Sequence, residues 1–215
     1  MAPELRGEFH RELERLDISV AALLGVIPEA VVAATTALLV SDVAGASSLG
    51  RWQQLVGDLY ADVERTVETV LARQAPMAGD LRFLMACVRI VPTLNDAVDL
   101  IADIAAPSRQ RIGDRLPARL ISLTEQLGEL TSLAWQAVTE LWERRDPARM
   151  VTLREHDDAL AEVRSSLAAE VASGLLDFPA AMEMTLVGRS FERLGRLALS
   201  VGELIRPLCG SLPRA

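Results

Sequence analysis

The 215-residue chain predicts an all-α protein built as two tandem three-helix bundles. Three observations carry this. Apolar residues recur at steps of three and four through every long segment, as in Leu81, Leu84, Met85, Val88, Val91, Val98 and Ile101, which is the period of an amphipathic helix. Proline and glycine fall largely at corners, and no hairpin signal separates alternating runs. The layout also repeats, because Pro76 and Pro179 head two matching segments that Pro107 and Pro207 follow, the mark of a duplicated unit.

The first helix is predicted from Pro3 to Val40, and Asp42 or the Gly/Ser-rich run Gly45 to Gly50 turns it into a second helix ending at Arg73. The run Gln74 to Arg82 then ends one pattern and starts the next without a loop. Pro76 suits a helix start, where its missing N–H is not needed, and Asp80 sets a negative charge against the positive end of the new helix. That third helix runs to Ala105, with Pro92 removing one internal hydrogen bond. Ala106 to Pro117 holds two prolines, a glycine and four charges without apolar period, and reads as the linker between residues 1–107 and 116–209. Helices follow from Pro117 to Arg144, from Asp146 as cap with Pro147 at the first position through Leu175, and from Pro179 to Arg206.

Half of the residues are hydrophobic and only 4% are aromatic, so the core should be large and aliphatic. A net charge of −8 argues against nucleic-acid binding, which needs clustered Lys and Arg to displace phosphate counterions. Cys87 and Cys209 have no metal, haem or redox spacing, and Cys87 lies on an apolar helix side as an inert thiol. The N-terminus alternates charges and has no apolar signal region, so a cytoplasmic location is expected. Ile18 to Val40 carries one charge, Glu29, and is long enough to span a bilayer. A central Glu beside Pro28 and the lack of a positive flank favour a core helix instead.

The corner Gln74–Arg82 with its following helix, and the stretch MTLVGRSFERLGR from Met184 to Arg196, resemble the phosphate-uptake regulator family PhoU over nearly the whole chain. The resemblance implies a non-enzymatic cytosolic regulator of phosphate uptake and phosphate-starvation signalling. It would act as an adaptor between the ATPase subunit of a phosphate ABC importer and a sensor histidine kinase, reaching the membrane only through these partners, with a homodimer as one form. It also implies acidic pairs spaced i, i+4 on the third helix of each repeat, associated with metal clusters. Carboxylates four apart share a helix face and can share one hard cation.

Here the matched pairs are Asn95 with Asp99, and Glu192 with Arg196, and both depart from the pattern. Asn95 keeps a neutral oxygen, and Asp103 extends the first strip. Arg196 puts a permanent positive charge where a ligand should be, in the favourable order for a helix ion pair with Glu192. Asp158 and Glu162, beside His156 and Asp157 in REHDDALAE, are the remaining metal candidates, for a divalent, iron or zinc ion. No cofactor is certain on this reading. Glu192, Arg196 and Glu203 form a polar face of the last helix and are the candidate partner-binding residues. Gly188, Gly195 and Gly202 recur every seven residues, a strip for close packing or a partner. Neither His10 nor His156 has the Glu three positions before it that a di-iron bundle uses, and no nucleophile elbow or phosphate loop occurs. Two rivals keep the bundle: a PhoU-like scaffold with a different partner, or a carboxylate metal-binding bundle protein.

Overall fold

The computed structural model describes residues 3–48, 50–73 and 78–209. Seven α-helices and no strands occur among the described residues: α1 (Pro3–Leu39), α2 (Val43–Ser48), α3 (Gly50–Arg73), α4 (Ala78–Ala105), α5 (Ala118–Arg144), α6 (Arg149–Ala172) and α7 (Phe178–Ile205). The predicted second helix is α3, and a short extra helix, α2, precedes it. Ser41 turns left-handed at φ 53°, and the Asp42 carboxylate accepts from the N–H groups of Ala44 and Gly45 at 3.0 and 2.9 Å. This caps a short helix made from the run expected to be a turn. Pro76 lies outside the described residues, while Asp80 sits in the first turn of α4 as expected.

The helices form two repeats, α1, α3 and α4 against α5, α6 and α7, joined by packing of α1 on α5 and α4 on α7. One continuous core runs through both, with Leu23, Leu24, Ile27, Leu84, Leu94, Trp135, Trp142 and Phe191 fully buried. Helix α1 is long and apolar enough to cross a membrane, yet half of its most apolar window is buried inside the bundle. Val20, Leu24, Ile27, Ala30 and Ala34 have no exposure at all, the pattern of a central core helix. Both Pro28 and Pro92 lie within continuous helices.

The predicted linker is folded. Ala106–Gln110 and Gly113–Arg115 form 3-10 turns, and Ile112 is fully buried. Gly113 lies so close to the end of α1 that a Cβ there would stand 2.3 Å from the Leu38 carbonyl oxygen and 2.5 Å from that of Leu39. An aperiodic segment is ordered here by tertiary contact, which periodicity cannot reveal.

A clasp ties the end of α5 to α1. Arg145 turns left-handed at φ 52°, its guanidinium donates to Asp17 Oδ1 at 2.6 Å and lies 4.1 Å over the Trp142 ring. The Trp142 indole donates to the Asp17 carbonyl at 3.3 Å and its ring meets Phe83 of α4 at 5.8 Å. Burial raises the Asp17 carboxyl above its ordinary range despite Arg145, and lowers the guanidinium.

Helix α6 starts two residues later than expected, at Arg149 and not at Pro147. Asp146 Oδ1 accepts from Ala148 N–H at 3.0 Å, and i, i+3 bonds from Arg149 to Asp146 and Met150 to Pro147 make a 3-10 lead-in before the α-helix. Helix α6 ends at Ala172, short of Leu175, because Gly174 takes φ 80°, where glycine alone is free of strain. Asp177 caps α7 by accepting from Ala180 N–H at 2.9 Å.

Candidate functional site

Of the residues singled out by sequence, Glu192, Arg196, Glu203 and the three glycines of α7 lie along the α6–α7 seam. Leu153, Leu160 and Leu167 recur every seven residues on α6, and all are buried. They run antiparallel to the three glycines of α7. A Cβ at Gly188 would stand 2.8 Å from Leu167 Cδ2, at Gly195 3.0 Å from Leu160 Cδ1, and at Gly202 2.7 Å from Leu153 Cδ2. The glycine strip is thus filled by leucines of the same chain, and it serves internal packing.

Charged side chains edge this seam. Glu192, half-buried, bonds Arg196 one turn on and meets Arg164 of α6 at 3.6 Å. Asp157 lies over Gly195, its Oδ1 3.1 Å from where a Cβ would be. Burial, with the neighbouring Asp158, raises the Asp157 carboxyl, while Arg196 opposes the shift. Further along, Glu203 accepts from Arg154 at 2.9 Å and from Arg206 at 2.8 Å, and these bonds, Arg154 first, lower its carboxyl. All three expected contact residues, Glu192, Arg196 and Glu203, are therefore held by partners within the chain. Arg196 stays exposed.

The first acidic strip is more open. Asn95, Asp99 and Asp103 are all exposed on α4, and Asp99 Oδ1 accepts from Gln53 Nε2 of α3 at 2.8 Å. Asp158 and Glu162 are exposed on α6, beside half-buried His156 and Asp157. Among the described residues no three His, Cys, Asp or Glu side chains converge on a point where a metal could be held. The structure brings together Asp157, Glu192, Arg164 and Arg196, and leaves the pairs Asn95/Asp99 and Asp158/Glu162 as separate surface strips.

Two features escaped the sequence reading. One is an open groove of about 350 Å³ between α1 and α5, lined by Val32, Thr36, Val40, Glu125, Glu129 and Leu133. The other is the outer stripe of α7, where Phe178, Met182, Leu186, Arg189 and Arg193 are all exposed. Their four-four-three-four spacing was the available signal. Such surfaces, with the ion pairs of the seam, suit binding.

The relatives of this chain bear on what is bound. It is 28% identical over 217 residues to "Phosphate-specific transport system accessory protein PhoU homolog 1" of Mycobacterium leprae, covering 97% of this chain and 96% of that one. It is 25% identical to the corresponding homolog of Rhizobium meliloti, across 94% and 86% of the two chains. In three dimensions it matches the crystal structure of PhoU from Pseudomonas aeruginosa with a TM-score of 0.84 at 20% identity, over 93% of this chain and 98% of that one. The chain is thus similar to PhoU proteins along nearly its whole length. The phosphate transport system regulatory protein PhoU from Streptococcus pneumoniae shares the same fold, with a TM-score of 0.78 at 19% identity over 96% and 100% of the chains. No family model matches the chain.

Proposed function

We propose that this chain is an accessory protein of a phosphate-specific transport system that works by binding and carries out no catalysis. In this reading it holds phosphate-starvation signalling off when phosphate is plentiful. It does so in the cytoplasm, by contacting the ATPase subunit of the importer and a membrane sensor histidine kinase. The observation that carries the reading is similarity to transport-system accessory proteins along the whole length, 97% of this chain in the Mycobacterium leprae relative. The bundle supports it with exposed polar and apolar helix faces suited to protein contact. The Glu192–Arg196 pair gives the second acidic strip a cation of its own, and so supports a protein that binds metal clusters weakly or not at all.

Deletion of the gene should derepress phosphate-starvation genes in phosphate-rich medium, and the tagged protein should co-purify with the importer ATPase or the sensor kinase at low salt. If starvation genes do not respond and neither partner is recovered, the regulatory role is wrong, and a scaffold with a different partner becomes the better account.

A further inference from the structure

Helices α1 and α5 run antiparallel, with Asp17 against Arg145, Pro28 against Ser132 and Thr35 against Gly128. At Gly128 they come so close that a Cβ would stand 2.6 Å from Thr35 Oγ1 and 2.8 Å from its Cγ2. That approach sets the floor of the groove of about 350 Å³. The Thr35 hydroxyl donates to the Val31 carbonyl at 2.8 Å and that of Ser132 to the Pro28 carbonyl at 3.3 Å, so neither proton is free for a ligand. The walls are apolar and open to water: Val32, Val40 and Leu133 are 50%, 64% and 36% exposed. Glu125 and Glu129 stand on the α5 wall, both exposed and one turn apart, and no arginine lines the groove with them. Among the described residues neither carboxylate makes an ion pair, and like charges at that spacing repel.

The fold itself shows what fills such a groove. Helices α1, α4, α7 and α5 form a square, since α1 packs on α4 and α5, and α7 packs on the same two. Helix α3 covers the side between α1 and α4, and α6 covers the side between α5 and α7. Among the described residues no helix covers the α1–α5 side, which has the form that a helix occupies on two other sides of the same molecule. The rim decides which helix fits. Anionic lipid would meet the two carboxylates and be repelled. So would a second copy placed groove to groove, or one offering its α4 face, where Leu81, Met85 and Val88 are followed by Asp96 and Asp99. The basic stripe on a second copy's α7 would suit the charge, but α7 lies across the square from α1 and turns that stripe away from its own groove. Copies joined that way add head to tail without closing, each bringing a net charge of −8 that opposes the next addition.

We propose that the α1–α5 groove docks an amphipathic helix of a protein partner, with apolar side chains seated on Val32, Val40 and Leu133 and with Lys or Arg opposite Glu125 and Glu129. This rests on the reading that the chain works by binding proteins, and it names the chemistry of the bound element. The apolar walls supply affinity, as where a helix lies in a hydrophobic groove, and the two carboxylates set register and on-rate.

The test uses the full chain in its own host, grown in phosphate-rich medium. A benzophenone amino acid replaces Thr36, an exposed residue of the groove, and, as control, Val151, an exposed residue of α6. Irradiation followed by mass spectrometry identifies the cross-linked segment. The expected result is an adduct at position 36 and none at 151. The segment should be an amphipathic helix bearing Lys or Arg, and adduct yield should fall about tenfold in E125K/E129K, whose helical circular dichroism and melting should match the parent. No adduct at 36, an adduct to lipid or to a second copy, an acidic segment, or full yield in E125K/E129K would each overturn the proposal. A basic helix from a protein outside the phosphate system would uphold the groove and remove the partners proposed above. Derepressed starvation genes on deletion, with the ATPase or the kinase recovered but no adduct at 36, would do the reverse.

Discussion

Helices α4 and α7 occupy the same place in the two repeats and have the same length, 28 residues, yet they pack their neighbours by opposite means. A shift of 97 residues sets Asn95 on Glu192 and Asp99 on Arg196. The same shift sets Val91, Val98 and Ala105 on Gly188, Gly195 and Gly202, and all six are buried. Helix α3 packs on α4 with the short side chains of Val56, Val63 and Val67, while α6 packs on α7 with Leu153, Leu160 and Leu167. Where the third helix keeps side chains, the partner helix brings valines, and where it gives them up, the partner brings leucines. The leucines of α6 thus fill the space that the glycines of α7 leave open, as a close-packed interior requires. The polar edges differ too: α4 leaves carboxylates open to solvent, and α7 closes its own with arginine.

The sharpest difference is in thiol reactivity. Cys87 lies in the buried face of α4, where burial first and the nearby Asp17 second push its thiol up to about 12. Cys209, just past α7, is only partly buried, and burial raises its thiol with Arg145 opposing. Only the thiolate attacks a disulfide reagent. At pH 8 about one Cys87 in ten thousand is ionised by that value, and the side chain is sealed in the core. An Ellman titration should therefore show one fast thiol per native chain and a second, slower by about a thousandfold or more, that appears with unfolding. A Cys209→Ser variant should lose the fast phase alone. Two thiols reacting together in the native state would mean that the α4 core opens readily.

Next comes the seam itself. Gly195→Val should destabilise the fold by about 1–3 kcal/mol, as overpacking does, because its new atoms meet Leu160 Cδ1 and Asp157 Oδ1. Leu160→Ala in the same chain should recover part of the loss, giving a favourable coupling in a double-mutant cycle. At the matched position of α4, Val98→Gly should cost about 2–3 kcal/mol through lost burial and helix propensity. If Gly195→Val is neutral in urea unfolding, or if Leu160→Ala adds its full cost to it, the exchange of volume across the seam is not what separates the two repeats.

Much of this frame was legible in advance. Helices α1 and α5 end within a residue or two of their predicted limits because proline and a sharp polar turn mark their starts and stops. The seven-residue glycine strip was equally plain. Its occupant was not, since nothing local in α7 distinguishes a leucine of α6 from a leucine of another chain. Ile112 and Gly113 read as linker because order there comes from the end of α1. The outer stripe of α7 was missed for a different reason. Glu192, Arg196 and Glu203 drew the eye as charges, whereas Arg154, Arg164 and Arg206 already hold two of them, and the arginines without acids lie earlier on the same helix.

The two acidic strips should also separate by metal affinity. Arg196 occupies the position that matches Asp99, so Arg196→Asp restores a pair of carboxylates four residues apart and removes a cation from the site. Affinity for a divalent ion, measured by calorimetry and by elemental analysis without chelators, should rise about tenfold with the added ligand charge. Asp99→Asn should change it less, because Asn95 is already neutral. Several tightly held metal equivalents in the parent chain, lost on Asp99→Ala or Glu192→Ala, would show that both strips bind as they stand.

The smallest effect tests whether Asp157 belongs to the charge network or is merely trapped beside it. Burial and the neighbouring Asp158 raise its carboxyl above the ordinary 3.8, with Arg196 only partly opposing. A carboxyl raised in the folded state binds its proton more tightly there than in the unfolded chain. Its contribution to stability is therefore fully present below the unfolded value and lost as pH climbs through the folded one. At neutral pH the ionised Asp157 is thus a net burden, and Asp157→Asn should stabilise the protein by a few tenths of a kcal/mol, a size limited by solvent screening. The gain should shrink to nothing as pH falls below about 4. Urea midpoints of parent and variant between pH 3.5 and 7.5 measure it. A variant that is less stable at neutral pH would mean that the attraction of Arg196 outweighs burial, and that α7 depends on Asp157 as a true partner in the ion pairs which α4 does without.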